Sequence, residues 1–289
     1  MKKTFKQISV VIAMVMLLLA TGSSMAVSAQ ETVSVTACED TVIGGWTSDI
    51  NTTRGADVSL LTGGVLQSNG TIDLGGSGYP YMAYFKFNLP AGVSEGTKSI
   101  ENAKLKLYIK NTKTWNVEMK KMAFYATSDN SWNEATLINS TAPIKSNEVS
   151  IGNVSGKIAP GYLESYSNKN ISSTSWDTLE YNLTDFINTY DLLNGDGKIS
   201  IVALPIVSEI ALRIATKDRT EENLRPVIEF TLGDIAPLAV TTPPASSCNY
   251  KGNVEISFNN SLKASSVTGE NVELYKNGEL VTIGSDELA

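Results

Sequence analysis

From Met82 to Leu89 apolar side chains fall at every second position: Ala83, Phe85, Phe87 and Leu89 point one way, Tyr84, Lys86 and Asn88 the other. A period of two is the repeat of an extended strand with one buried face. The same alternation runs from Lys104 to Lys110, where Leu105, Leu107 and Ile109 oppose Lys104, Lys106, Tyr108 and Lys110. Shorter runs follow at Met122–Ala126, Thr178–Leu183, Lys198–Leu204, Glu209–Ala215 and Val227–Leu232. Turn formers separate the runs: Gly44-Gly45, Gly63-Gly64, Gly75-Gly76, Asn111, Asn168 and Gly195 to Gly197. Short strands with turn signals between them predict an all-β chain folded as a jelly-roll β-sandwich, not a helical bundle.

Helical spacing is nearly absent. The exception is Leu183 to Leu193, where Phe186, Ile187, Tyr190 and Leu193 share a face and Thr184 can cap a short helix starting at Asp185, a plug for one end of the sandwich. Asn194-Gly195-Asp196-Gly197 has the look of a calcium loop. That loop needs an acid where this chain has Leu192 and a Glu where it has Ala203, so Asp196-Gly197 reads as a hairpin turn.

The amino terminus has a different character. Lys2, Lys3 and Lys6 precede the apolar run Ile8–Ala20, and small residues end at Val27-Ser28-Ala29. Charged, apolar and small-residue regions in that order predict a cleaved secretory signal over residues 1–29. The run is too short for a membrane span of about 20 apolar residues, so no membrane association is expected after cleavage. The mature chain is expected to be extracellular. Export permits a disulfide, yet the spacing of Cys38 and Cys248 does not determine whether they pair.

Charge and composition exclude several functions. Without Lys2, Lys3 and Lys6, 20 Lys and Arg face 30 Asp and Glu, a net of −10, which argues against a nucleic-acid partner. With no His in the chain, Ser-His-Asp and Cys-His nucleophilic sites and His-ligated metals are ruled out. No cofactor is expected. A structural Ca²⁺ held by Asp40, Asp129 or other loop acids is compatible with the chemistry, but no spacing selects a set of ligands.

Past Gly233 the prolines Pro237, Pro243 and Pro244 mark an extended connector, followed by strand-like Val254–Phe258 and Val272–Tyr275 and an Asn277-Gly278 hairpin turn before Leu280-Val281. The expected divisions are a signal at 1–29, a sandwich domain at 30–233, a linker at 234–246 and a partial domain at 247–289.

Five motifs in order resemble a known family. Tyr84–Leu89 and Ile100–Tyr108 look like its first core strands, Ser128–Glu134 with Ala142-Pro143 its central signature, Leu183–Ile187 its helical turn and Arg225–Glu229 its closing strand. Over about residues 37–232 the chain is similar to the DNRLRE-domain family, grouped with family 96 carbohydrate-binding modules. The resemblance implies a β-jelly roll that binds polysaccharide, alginate included, in secreted bacterial proteins. The family usually has a Trp shortly before the Ala-Pro, where this chain reads Leu137–Thr141. The tail is similar to the opening of an S-layer-type bacterial Ig-like domain, which implies a truncated Ig-like segment with downstream domains in a longer, cell-surface-associated parent.

Sugar binding calls for aromatic faces to stack on a pyranose and, for an acidic glycan, cations to pair with its carboxylates. The outward strand positions supply Tyr84, Lys86, Lys104, Lys106, Tyr108 and Lys110, and the loops supply Trp46, Tyr79, Tyr81 and Trp115. Lys86 is expected to be replaceable without loss of stability. Trp132 is expected to pack as structure, and Arg213 and Arg219 to be solvated. The expected function is non-catalytic binding of an acidic polysaccharide. The alternatives are a structural or adhesive spacer and a polysaccharide lyase or glycoside hydrolase. The acidic residues alone select no catalytic pair.

Overall fold

The two longest alternating runs become strands of two different sheets. The computed structural model describes residues 30–75, 78–150, 153–154, 157–158, 162–189 and 196–235, together with short strands at 240–242, 257–258, 274–276 and 279–281. The expected signal, Cys248, Tyr190, Leu193, Asn194-Gly195 and most of the linker and tail lie outside the described residues.

In chain order the first unit, Met1–Ile235, contains β1 (Glu31–Thr36), β2 (Glu39–Gly45), β3 (Ser59–Thr62), β4 (Val65–Leu66), β5 (Ile72–Asp73), β6 (Tyr79–Asn88) and a one-turn helix α1 (Ala91–Ser94). Next come β7 (Lys98–Asn111), β8 (Val117–Thr127), three two-residue strands β9 (Val149–Ser150), β10 (Asn153–Val154) and β11 (Lys157–Ile158), then β12 (Tyr162–Ile171) and β13 (Asp177–Asn182). Helix α2 (Thr184–Thr189), β14 (Lys198–Val207), β15 (Leu212–Ala215) and β16 (Val227–Asp234) close the unit.

Two antiparallel sheets face each other. The five-stranded sheet has the order β12-β8-β14-β6-β2. In the six-stranded sheet β7 is central: β13 runs along one edge, and β16 (leading to β1) and β15 (leading to β3) lie end to end along the other. The chain changes sheet at most of its long connections, the winding of a jelly roll. Between the sheets lies the main core, with Ala83, Phe85 and Phe87 of β6 against Leu105, Leu107 and Ile109 of β7, and Phe124 edge-on to Tyr181 at 4.8 Å. Phe186 and Ile187 of α2 complete it, as the spacing predicts. Thr184 does not cap its own helix: Asn182 Oδ1 accepts its N–H, and its hydroxyl accepts the N–H of Ala103.

Asp196-Gly197 does not join a hairpin, because β14, which it leads into, pairs with β6 and β8. Cys38 is free, and burial pushes its thiol pKa up.

A third layer, unannounced by any periodicity, covers the other face of the five-stranded sheet. Residues 128–149 run across it as turns and a short 3₁₀ segment, Ser146–Glu148. Trp132, Leu137, Ala142, Ile144 and Val149 from this segment form a second apolar cluster with Met82, Tyr84, Tyr125, Val202 and Leu204. Two glycines permit close approach. Gly44 has φ +99°, and a Cβ there would lie 1.9 Å from the Pro80 carbonyl oxygen; at Gly55 it would lie 2.2 Å from that of Glu134.

In the second unit, Ala236–Ala289, β17 (Val240–Thr242) pairs with β18 (Ser257–Phe258), and β19 (Leu274–Lys276) with β20 (Glu279–Val281); the turn expected at Asn277-Gly278 lies outside the described residues. Among the described residues no helix is long and apolar enough to cross a membrane.

Candidate functional site

The strand period correctly places Tyr84 and Lys86 on the face of β6 away from the main core. The expectation that this face meets solvent is corrected by the covering segment: Tyr84 is 0% and Lys86 1% exposed. The Tyr84 hydroxyl donates to the Ile144 carbonyl and accepts the Ile144 N–H at 3.0 Å, and its ring meets Trp132 edge-on at 5.5 Å. The Lys86 ammonium pairs with Glu39 Oε1 at 2.9 Å, donates to the Trp132 carbonyl and lies 4.3 Å from the Trp132 ring centroid. Trp132 is therefore structural, as expected. Leu137 is buried in the same cluster. Tyr84→Phe is expected to cost about 1–3 kcal/mol, the range for stranding buried hydrogen-bonding groups, and urea denaturation measures it.

The six-stranded sheet keeps its outer face open. On β7, Lys104 stands opposite Asn182 and Glu229, Lys106 opposite Glu180 and Val227, Tyr108 opposite Thr178, and Lys110 opposite Arg213. From Lys104 to Lys110 this stripe runs for about 20 Å at the strand rise per residue. Lys106 is tied to Glu229 at 2.6 Å, a hydrogen bond that raises its pKa, and lies 3.6 Å from Glu180, as does Lys104. Arg213 donates to the Ser59 carbonyl at 3.0 Å. Neither Lys110 nor Arg213 has an ion-pair partner among the described residues.

Two further residues join this face from distant parts of the chain. Trp176 precedes β13 with the same parity as outward-facing Thr178 and Glu180. The connection from β15 to β16 sets the Arg219 guanidinium 4.7 Å from the Trp176 ring centroid and 2.8 Å from Glu221, so Arg219 is not solvated, contrary to expectation. Trp176 carries no strand period of its own, and Arg219 reads as one more loop charge, so only the fold brings them together.

The aromatics expected in loops lie elsewhere, and two of them, Tyr79 and Tyr81, belong not to a loop but to the start of β6. Trp46, 45% exposed, packs beside Gly78. Tyr79 lines a cleft of about 440 Å³ with Thr47, Thr71, Asp73 and Asn147. Tyr81 is buried, with Arg54 over its ring at 5.5 Å, which corrects its expected exposure. Trp115 is 55% exposed, donates Nε1–H to Glu209 at 3.0 Å and has Lys113 at 5.2 Å from its ring. The expected site residues are thus divided among a covered sheet face, an open one, the start of β6 and two separate loops. On the open face only Lys104, Lys106, Tyr108 and Lys110 remain together.

A second polar feature lies where β2, the covering segment and the β15–β16 connection meet. Asp40, Glu134 and Asp218 bring carboxylate oxygens within 4.8 Å of one another. Burial pushes the Asp40 carboxyl pKa up to about 7, although the Lys217 N–H donates to it. Asp129 is not in this group: its Oδ1 accepts from the hydroxyl and the N–H of Ser131, which hold its pKa down.

No curated protein matches the sequence. Of the five motifs behind the family resemblance, the helical turn and the closing strand fall beyond the stretch that a family model matches. That stretch runs from β1 into β12 and includes the whole covering segment: residues 31–165 match carbohydrate-binding module family 96.

Proposed function

We propose that the first unit is a non-catalytic binding module for an acidic polysaccharide, and that the outer face of the six-stranded sheet is its landing surface. The family match supports carbohydrate binding. The preference for an acidic chain rests on one observation: Lys110 and Arg213 stand directly opposite each other on neighbouring strands, without acids to neutralise them. Like charges in directly opposed positions destabilise a sheet. In a chain with an excess of 30 acids over 23 bases, such a pair suits a negatively charged partner.

Tyr108 and Trp176 supply ring faces, while Lys104, Lys106, Lys110, Arg213 and Arg219 supply charge. Because the sheet holds most of these groups in place before contact, little ordering entropy is lost on binding. The amino-terminal pattern of lysines, apolar run and small residues supports an exported protein. In this reading the module tethers its parent to an extracellular glycan, raising the effective concentration of whatever else the parent carries.

Gel-retardation electrophoresis of the purified protein against alginate, pectin and a neutral glucan tests the proposal. Retardation by the acidic polymers that weakens with added salt is the expected result. Retardation by the glucan alone would move the site to the cleft beside Tyr79, whose lining holds no cation. No retardation on any polymer would favour a spacer, and release of unsaturated or reducing ends would favour a lyase or hydrolase.

A further inference from the structure

Asp40 is fully buried, at 0% exposure, and its two oxygens fare differently. Oδ2 accepts the Lys217 N–H at 2.6 Å, whereas Oδ1 has no hydrogen-bond partner and no contact with solvent. A carboxylate oxygen withdrawn from water without a donor is strongly disfavoured. Glu134, from the covering segment, and Asp218, from the β15–β16 connection, each bring a carboxylate oxygen within 4.8 Å of a carboxylate oxygen of Asp40. The ammonium of Lys217 lies between those two, at 3.0 Å and 2.8 Å, and the other cation lining the adjoining cleft, Arg54, is held by Asp49 at 3.0 Å. Three carboxylates against one ammonium leave two negative charges, the complement of one divalent cation.

We propose that Asp40, Glu134 and Asp218 form a Ca²⁺ site. The donors are all oxygen, which selects hard cations over zinc or copper. Calcium tolerates six to eight oxygens in irregular arrangement, whereas magnesium demands a near-ideal octahedron. Here the three acids come from unrelated segments, and the adjoining cleft of about 540 Å³, lined also by Thr53 and Asp57, gives water access to complete the shell. The bound ion ties the covering segment to β2 and to the β15–β16 connection, with Lys217 displaced toward the cleft. No residue belongs both to this site and to the sheet face proposed for glycan, although Asp218 is the chain neighbour of Arg219.

Thermal unfolding of chelator-treated protein with CaCl₂ or MgCl₂ tests it, alongside Tb³⁺ luminescence excited through tryptophan. Calcium is expected to raise Tm in a concentration-dependent way and to displace Tb³⁺, with magnesium much weaker. Asp218→Asn, on a side chain 36% exposed, is expected to fold as wild type by circular dichroism and to raise the half-saturating Ca²⁺ concentration at least tenfold. Asp40→Asn, nearly isosteric, is expected to abolish the response. Wild-type melting unchanged up to about 10 mM Ca²⁺, well above the range of about 10⁻⁴–10⁻³ M for extracellular modules, would overturn the proposal. So would an equal response in Asp40→Asn, or equal stabilisation by magnesium.

Discussion

Lys86→Ala lowers the free energy of unfolding by about 3–5 kcal/mol, because it removes one partner of a buried ion pair and leaves the other behind. The loss extends beyond the pair. Glu39 accepts from Lys86 through one carboxylate oxygen and from the Glu134 N–H, at 3.0 Å, through the other, so the ammonium helps to position a carboxylate that also holds the covering segment. The Trp132 carbonyl loses its donor and the ring loses its cation. Urea denaturation followed by near-ultraviolet circular dichroism measures the change and reports the Trp132 environment directly. Lys86→Met separates the contributions: it keeps the apolar stem under the ring but supplies no charge, so it is expected to recover only part of the loss. Lys106→Ala provides the contrast on the open sheet, where exposed ion pairs contribute about 0.2–1 kcal/mol. A Lys86→Ala protein within 1 kcal/mol of wild type would mean that the covering segment does not depend on this contact.

That contrast also marks what alternation can reveal. On β7 the pattern was legible in full: Leu105, Leu107 and Ile109 are buried, and Lys104, Lys106, Tyr108 and Lys110 face outward. On β6 the parity was equally correct, yet both faces are buried. Period two says which residues share a face. It does not say what lies over that face when the cover is an irregular segment with no period. The signature Ser128–Glu134 reads in the sequence only as a family resemblance, and its physical role as cover emerges from the contacts of Trp132. Edge strands were harder to read. β1 alternates but offers only Val33 and Val35 to the core, and β12 is mostly polar, so neither produces a long apolar stripe. The pairing of Trp176 with Arg219, and the meeting of Asp40 with Glu134 and Asp218, arise from strand crossings between distant positions. No local pattern encodes them.

Lys110→Glu is expected to move stability and binding in opposite directions. In the sheet, Lys110 stands directly opposite Arg213, and replacing it with an acid turns a repulsive cross-strand pair into an attractive one. Cross-strand pairs of this kind contribute about 0.2–1 kcal/mol, so Tm should rise slightly. At the surface, the same change puts a carboxylate where a polyuronate must lie and engages the guanidinium of Arg213 internally. Juxtaposed like charges cost several kcal/mol at a contact, so affinity for an acidic glycan should fall at least about tenfold, equivalent to about 1.4 kcal/mol. The salt dependence of the residual binding should flatten as well, since fewer charges are neutralised on contact. Affinity electrophoresis in alginate at two ionic strengths, run beside a thermal melt of the same preparation, checks all three effects. The opposite signs matter because an unfolded or damaged surface would lower both readouts together. Unchanged retardation with the expected rise in Tm would remove the open sheet face from the binding site and direct attention to the cleft at Tyr79 and the exposed ring of Trp46.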